Sequence, residues 1–345
     1  MPSAITPARL ARMRLGAQRL AAETAALDPV EAARAVLGVQ AQDVRAAALA
    51  LRARVPGLER KAVDEASLVR TWTVRGTAHL IAAEDLPWIH SLTGPRNRRY
   101  FDNLMAKRGN LELARSTLPG MAAVLEEQGP LSRAAVLKSL EERGHPSLGP
   151  RSVNVVMAWA AAAGVVRGLP DGRFRAVEPP PAVDEEEALA ILGRRYLEGY
   201  GPAGVADLAK WSGFGTRVAA RALDAVEKVR VGDDLWALPG AADSQPPRPP
   251  DAKLLGAFDT AMLGWRSRDV LVPTGGEQQV MPGGGIIRAV LLARGRAAGT
   301  WRFSGRGKSR TLELARFGRG PAAAALRTEV ADVARFLGFE LAAAA

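Results

Sequence analysis

The segment Thr71-Trp72-Thr73-Val74-Arg75-Gly76-Thr77-Ala78-His79-Leu80-Ile81 decides how the first part of the chain folds. Its β-branched and aromatic residues favour β-strands. The residues before it carry apolar side chains at helical spacing, and Thr6-Pro7 and Asp28-Pro29 are typical starts of helices. Helices followed by a β-ribbon are the order found in a winged helix. We therefore predict a winged helix over residues 1–95.

The same order of helices and ribbon is predicted twice more along the chain. Two predicted helices precede Asp171-Gly172, which lies between two β-forming segments and is typical of a hairpin turn. Further helices are followed by a β-forming segment over residues 229–238. We predict a second winged helix over residues 96–180 and a third over residues 181–245, although the copies share no residue-level identity.

The last third of the chain differs from the rest in its composition. Residues 239–251 contain five prolines and are predicted to form a linker. Beyond them the sequence favours β-structure, with a final helix from Pro321 to about Leu337. Strands are predicted over residues 270–273, 278–281, 286–294 and 298–303. A β-rich domain is therefore expected after three helical ones.

Charge and cysteine content restrict the possible functions. The chain has 47 Lys and Arg against 36 Asp and Glu, a net charge of +11, which favours a polyanionic partner such as nucleic acid. The sequence has no cysteine, which excludes disulfides, thiolate nucleophiles and cysteine-ligated zinc. Its three histidines, His79, His90 and His145, are far apart, so we expect no metal and no cofactor.

The sequence also indicates where the protein works. The N-terminal segment lacks the apolar stretch of a secretion signal, and no apolar run reaches about 18 residues. We therefore expect a cytoplasmic protein with no membrane association.

Two glutamines, Gln40 and Gln42, lie where a predicted helix ends or the next one begins. Amide side chains do not ionise, yet each offers an acceptor oxygen and two donor hydrogens. Taken alone, the pair is more typical of a solvated helix end than of a functional site, because short motifs often occur by chance. The adjacent Asp43 is a possible general base, but a helix cap is the favoured interpretation because Asp is common at that position.

Four segments, in this order along the chain, resemble the AlkZ-like DNA glycosylases, a winged-helix superfamily. They are Val39–Asp43, Arg70–Leu80, Leu254–Arg266 and Val290–Arg302, and the resemblance covers nearly the whole chain. It implies a C-shaped array of three tandem winged helices closed by a small β-barrel. The expected fold class is thus α+β and mainly helical, with the barrel and the final helix over residues 252–345.

The resemblance also implies an activity. Family members with a Gln-X-Gln motif hydrolyse the N-glycosidic bond of bulky N7-alkylguanines, some unhook interstrand crosslinks, and some protect producers of DNA-alkylating natural products. A sister branch carries Gln-X-Asp, and Gln42 places this chain with the first group. The implied protein is a monomeric, monofunctional enzyme, associated with the nucleoid, whose partner is double-stranded DNA carrying an alkylated guanine.

The chemistry of such a substrate suits a pair of amides. An N7-alkylated guanine is cationic and is a good leaving group before any enzyme acts. Two rigid amide oxygens can hold a water in line with the sugar carbon and offer partial negative charge, without a strong base. We therefore predict that Gln40 and Gln42 are the catalytic residues. Gly256 and Thr260–Met262 depart from the more acidic, aromatic and proline-rich character expected of the family at these positions.

Ten residues are candidate contacts to DNA. Three lie on the first ribbon, three follow Gly94-Pro95 near an expected helix N-terminus, two lie in a glycine-rich segment, and two lie in the C-terminal β region. They are Arg75, Thr77 and His79, then Arg96, Arg98 and Arg99, then Gly284 and Ile286, and finally Arg302 and Lys308. Thr77 and His79 could instead satisfy local hydrogen bonds, the arginines could form solvated faces, and the glycines could form a barrel turn.

Two other functions remain open from the sequence. A non-catalytic winged-helix protein, such as a transcriptional regulator, shares the charge and the repeated elements, and it predicts sequence-specific binding without a need for the glutamines. A protein that sequesters a toxic ligand would require a large apolar pocket, of which the sequence gives no sign.

Overall fold

The computed structural model describes residues 5–146, 149–305, 307 and 309–341. The helices are α1 (Pro7–Ala17), α2 (Pro29–Ala35), α3 (Val44–Arg54), α4 (Arg60–Glu65), α5 (Leu86–Lys107), α6 (Leu111–Gln128), α7 (Arg133–Glu142), α8 (Gly149–Ala162), α9 (Glu185–Tyr200), α10 (Val205–Ser212), α11 (Thr216–Asp224), α12 (Pro239–Asp243), α13 (Glu277–Val280) and α14 (Ala323–Leu337). Within the described ranges, none of these helices is long and apolar enough to span a membrane.

The strands are β1 (Val39–Gln40), β2 (Leu68–Trp72), β3 (Ala78–Ala82), β4 (Val166–Gly168), β5 (Phe174–Ala176), β6 (Val229–Gly232), β7 (Leu235–Ala237), β8 (Ala252–Leu255), β9 (Val290–Ala293), β10 (Arg296–Ser304), β11 (Ser309–Arg316) and β12 (Glu340–Leu341).

Three segments of the chain repeat one order of elements: helix, short strand, two helices and a ribbon. The first consists of α2, β1, α3, α4, β2 and β3, in which β1 pairs with β3. In the second, between α6 and α7, Leu131 alone replaces the short strand and pairs with Phe174 of β5. In the third, between α9 and α10, Ala203 pairs in the same way with Trp236 of β7. The predicted fold class of three winged helices is confirmed. The short strand of the first, and the single paired residues that replace it in the other two, were not predicted.

The first two ribbons belong to one sheet. Its order is β1-β3-β2-β4-β5, and β2 joins β4 through the pair Arg70–Gly168. The third ribbon, β6 and β7, forms a separate two-stranded sheet. The first ribbon is therefore flanked on both sides by other strands, β1 next to β3 and β4 next to β2.

The C-terminal strands form a curled half-barrel in the order β12-β11-β10-β9-β8, with α14 packed against β8. Two predicted strands of this region are wrong. Residues 270–273 form an irregular segment in which Leu271 and Val272 are buried, and residues 277–280 form α13. The apolar residues of this segment are buried without forming a strand. The backbone N–H groups of Leu271 and Val272 both donate to the carbonyl of Arg268, which makes the segment a turn.

Helix α5 differs from the expectation that a helix begins after Gly94-Pro95. Pro95 lies inside this continuous helix, which also crosses the predicted boundary between residues 95 and 96. Buried residues on both sides of the proline, including Ile89 and Phe101, pack α5 against its neighbours, and this packing outweighs the lost backbone hydrogen bond.

One hydrophobic core joins the first winged helix to the half-barrel. Ala48 and Leu51 of α3 lie in it with Leu254 of β8, Leu291 of β9 and Val333 of α14. The start of α3, directly after Gln42, therefore has a fixed position relative to the C-terminal strands.

Candidate active site

Gln40 lies in strand β1, and a sharp turn after α2 brings it there. Leu37 and Gly38 have φ angles of 57° and 87°, which turn the chain from the helix into the strand. A Cβ on Gly38 would lie 2.5 Å from Cγ2 of Ile81, so only glycine fits. Gln40 pairs with His79 of β3 and is 7% exposed. The interpretation of Gln40 as a solvated helix end is therefore wrong.

The two glutamines are in direct contact. Side chains two residues apart in an extended strand lie on the same face, and Ala41 points to the core between them. Nε2 of Gln40 donates to Oε1 of Gln42 over 2.8 Å. Gln42 is exposed, so the pair extends from the protein interior to the surface.

Asp43, next to this pair, caps helix α3. Its Oδ1 accepts hydrogen bonds from the backbone N–H groups of Arg45 at 2.8 Å and Ala46 at 3.3 Å. The predicted capping role is confirmed. These two bonds give Asp43 a structural reason to be present at the start of α3.

Arg75 approaches the glutamines from the turn between β2 and β3. Its Nη2 donates to Oε1 of Gln40 over 3.5 Å, and its Nη1 donates to the carbonyl oxygen of Trp211 in α10. Burial lowers the pKa of its guanidinium. The side chain is partly exposed, and its expected contact with DNA stays a prediction.

Arg70 was not singled out from the sequence as a site residue. Its Nε donates to the carbonyl oxygen of Ala41 over 2.7 Å, and its guanidinium lies 5.4 and 5.5 Å from the ring centres of Trp72 and Phe174. Burial, followed by repulsion from Arg133, lowers the pKa of Arg70 to about 10. Its position at the start of the segment Arg70–Leu80, which resembles the family, is the sequence signal that could have identified it as a site residue.

His79 is enclosed opposite Gln40. It is 3% exposed, and its Nδ1 lies 2.9 Å from Oγ1 of Thr73 and 3.0 Å from the carbonyl oxygen of Thr77. Burial, and then the charge of Arg75, lowers the pKa of His79 to about 3, so the ring is neutral at neutral pH. The structure replaces the expected DNA contact with local hydrogen bonds, because β1 covers the strand on which His79 lies.

A groove of about 730 Å³ begins at Asp43, the residue that follows Gln42 in the chain. It separates the start of α3 from the half-barrel, and apolar side chains form its floor with three arginines among the lining residues. The lining is Asp43, Arg45, Ala46, Leu49, Ala257, Phe258, Ile286, Ile287, Arg288, Ala289, Thr300, Trp301, Arg302, Glu313, Leu314 and Ala315.

Comparison with known families identifies the kind of protein. A family model described as DNA glycosylase AlkZ-like matches residues 33–336, which contain both glutamines and the groove. The chain belongs to the AlkZ-like DNA glycosylase family. The structure of Streptomyces sahachiroi DNA glycosylase AlkZ matches with a TM-score of 0.75 and 20% sequence identity, over 98% of this chain and 100% of that one. This likeness shows a common fold. A comparison with curated protein sequences gives no match.

The arginines of α5 do not form a single patch on this DNA glycosylase. Arg96 lies 5.3 Å from the ring centre of Phe214 in the third winged helix, whereas Arg98 lies 5.7 Å from that of Trp159 in the second. Between them, buried Asn97 donates to the carbonyl oxygens of Trp72 and Thr73. All three arginines of this group are exposed, and their contacts with DNA stay predictions.

The glycine-rich segment forms a tight turn beside the groove. Gly283, Gly284 and Gly285 have φ angles of 107°, 60° and 75°, and the N–H of Ile286 donates to the carbonyl of Gly283 over 3.1 Å. Ile286 is 51% exposed at the end of this turn. Both alternatives, a barrel turn and a DNA contact through Gly284 and Ile286, are compatible with this geometry.

The remaining candidate contacts have local partners or lie elsewhere. Oγ1 of Thr77 donates to the carbonyl of Val74 over 3.2 Å. Arg302 is largely exposed and pairs with Glu313 over 2.5 Å. Lys308 lies outside the described residues. Across residues 5–146, 149–305, 307 and 309–341, no group of His, Asp or Glu side chains is arranged to hold a metal ion.

Proposed function

We propose that this DNA glycosylase hydrolyses the N-glycosidic bond of bulky N7-alkylguanines in double-stranded DNA. Gln40 and Gln42 position the attacking water in this proposal. The observation that carries it is the hydrogen-bonded pair of neutral amides, from which the chain continues directly into Asp43 at the edge of a wide groove. Asp43, the carboxylate that follows the pair in the chain, is occupied as the cap of α3.

The amides can meet the needs of this reaction. The bond between C1′ and N9 breaks, the base leaves as a neutral alkylguanine, the water oxygen bonds to C1′, and its proton passes to solvent. An amide oxygen accepts two hydrogen bonds, and each glutamine oxygen uses one within the protein. The second lone pair of each glutamine oxygen can orient a water and offer partial negative charge to the developing sugar cation.

The groove supports a bulky adduct over a small one. Its volume of about 730 Å³ lies in the range of small-molecule sites, and its apolar floor suits an aromatic group attached to the guanine. The same opening suits a crosslinked strand, so unhooking of interstrand crosslinks and self-resistance to a DNA-alkylating natural product form part of this proposal.

The test is release of the modified base. A duplex carrying one bulky N7-alkylguanine is incubated with the protein, and the free base is measured by mass spectrometry. We expect Gln40→Ala and Gln42→Ala each to slow release by at least about a hundredfold, because each removes a group that orients the water. Full activity of both variants would exclude the assigned roles.

The matched control is Asp43→Asn, which keeps the helix cap but removes the carboxylate. We expect it to retain release, whereas a loss as large as that of Gln42→Ala would make Asp43 the general base. A gel without alkali treatment tests monofunctional hydrolysis: the strand stays intact if the enzyme only hydrolyses the glycosidic bond, and it is cut if the enzyme also has lyase activity.

A further inference from the structure

Two arginines hold the segment Gln40–Gln42 from different sides. We propose that Arg70 and Arg75 are positioning residues that fix the backbone and the amide orientation of this segment. The inference rests on the proposed function of the glutamines. It assigns to these two residues a role in the reaction that is exerted through the glutamines.

Arg75 determines which atom of Gln40 faces which neighbour. A guanidinium offers only donors, so the Gln40 atom that faces it is the oxygen. The Gln40 amide nitrogen then points toward Gln42, where it needs an acceptor, and this fixes Oε1 of Gln42 at the contact of 2.8 Å. The Arg75 guanidinium thereby orients the Gln40 amide directly and the Gln42 amide through Gln40.

The opposite orientation of Gln40 is disfavoured by the same contacts. It would place the NH₂ group against the donors of Arg75, and the Gln40–Gln42 hydrogen bond would survive only if the Gln42 amide rotated as well and presented its nitrogen. Without Arg75, the two orientations differ much less, and the oxygen that has to receive the water is present for only part of the time.

Arg70 acts on the backbone between the glutamines. The N–H of Ala41 donates to the carbonyl of Ala78 over 2.7 Å, and the carbonyl of Ala41 accepts from Arg70. Both polar groups of this residue are therefore held. Because the rings of Trp72 and Phe174 lie against the guanidinium, its own position is fixed as well.

The two arginines connect the segment to the other winged helices. Arg70 pairs with Gly168 in the second, and Arg75 binds the carbonyl of Trp211 in the third. A Cβ on Gly213, which ends α10, would lie 3.1 Å from Cγ of Arg75, so the two elements are in close contact. Alignment of the glutamines therefore depends on all three winged helices.

The first test compares three lysine variants, Arg70→Lys, Arg75→Lys and Arg14→Lys. Lysine keeps the charge but cannot bind two acceptors in the fixed geometry of a guanidinium. Arg14 is the control, since it is an even more deeply buried arginine that lies 4.6 Å from the ring centre of Trp265 and binds the carbonyl of Pro202, but contacts neither Gln40 nor Gln42. Single-turnover base release at saturating enzyme and the Kd for the same duplex are measured.

We expect Arg70→Lys and Arg75→Lys to slow release by about tenfold or more, with Kd changed by less than about threefold. Arg14→Lys should stay within about twofold of the unaltered rate. The proposal is overturned if the two variants release the base at the full rate, or if weaker binding, seen as a raised Kd, accounts for their slower release. It is also overturned if the rate falls as much in Arg14→Lys.

The second test does not depend on activity. The chain has seven glutamines, so ¹⁵N-glutamine labelling gives few side-chain amide signals, which Gln40→Asn and Gln42→Asn assign. In the unaltered protein the Gln40 amide hydrogens should exchange slowly with solvent, and rapid exchange would overturn the proposal even if Arg75→Lys does not fold. The Gln40 signals should shift in Arg75→Lys and not in Arg14→Lys. If the unaltered protein releases no alkylguanine, the proposed function fails, while these spectra still decide the role of Arg75.

Discussion

Arg54 and Asp259 form a fully buried ion pair with two hydrogen bonds of 2.9 Å. The pair joins the end of α3 to the segment that follows β8 and so connects the first winged helix to the half-barrel. We expect Asp259→Asn to lower the free energy of unfolding by about 3–5 kcal/mol, because it leaves the buried charge of Arg54 without its partner. Urea denaturation followed by circular dichroism measures this.

The control for this change is Asp64→Asn, which breaks the ion pair of Asp64 with Arg60 on the surface of α4. A loss below about 1 kcal/mol is expected there because solvent screens the pair. Equal losses in the two variants would contradict the role assigned to the buried pair.

Gly38→Ala should lower both stability and base release. The added methyl group meets Ile81 at a left-handed position, so the start of β1, and Gln40 with it, has to move. Gly57→Ala is the matched control, since its φ angle of 67° imposes similar backbone strain but no atom lies within 4 Å of the new Cβ. We expect release to fall by about tenfold in the first variant and to stay unchanged in the second. Unchanged release in both would show that the turn does not position Gln40.

Acid should destabilise the protein partly through His79. Its pKa is about 3 in the folded protein and 6.5 without burial, so between these values the unfolded chain binds a proton that the folded one does not. The free energy of unfolding therefore falls as the pH is lowered through this window, by at most about 1.4 kcal/mol per pH unit. We expect a shallower pH dependence in His79→Asn than in the unaltered protein, measured by urea denaturation. Parallel curves would mean that His79 is protonated in the folded state.

A larger side chain in the groove should slow the release of bulky adducts more than the release of small ones. We expect Ala289→Phe to slow release of a bulky aromatic N7-alkylguanine by about tenfold more than release of 7-methylguanine, because the ring occupies space that only the larger adduct needs. Ala241→Phe, in a groove that lies away from the glutamines, is the control. A similar decrease for both adducts would place the bulky group elsewhere.

Arg96 and Arg99 test the expected phosphate contacts. If each binds a phosphate, Arg96→Gln and Arg99→Gln should each weaken binding to all duplexes and reduce the slope of log K against log salt by about 0.9. Arg34→Gln serves as a control, since Arg34 is exposed but paired with Glu84. An unchanged slope would remove that arginine from the interface.

The sequence predicts the order of elements well because helices and ribbons have local signals. Thr6 and Asp28 cap the helices that their residue types predict. Strand β1 and the single paired residues Leu131 and Ala203 were missed, because one or two residues show no periodicity. The sequence also could not predict that Arg75 binds Trp211, a contact between residues 136 positions apart that only the tertiary fold creates.

The pair Arg70–Gly168 has a mechanical consequence for the enzyme. In an isolated winged helix the ribbon is an arm that can follow the duplex, whereas here the first two ribbons share one sheet and cannot swing separately. The third ribbon forms its own two-stranded sheet and is held to the third winged helix by the pair Ala203–Trp236. The first two ribbons therefore cannot adapt separately to a duplex. Under the proposed function, the bending that brings a guanine to Gln42 then falls mainly on the DNA, and its stiffness at the damaged site contributes to substrate selection.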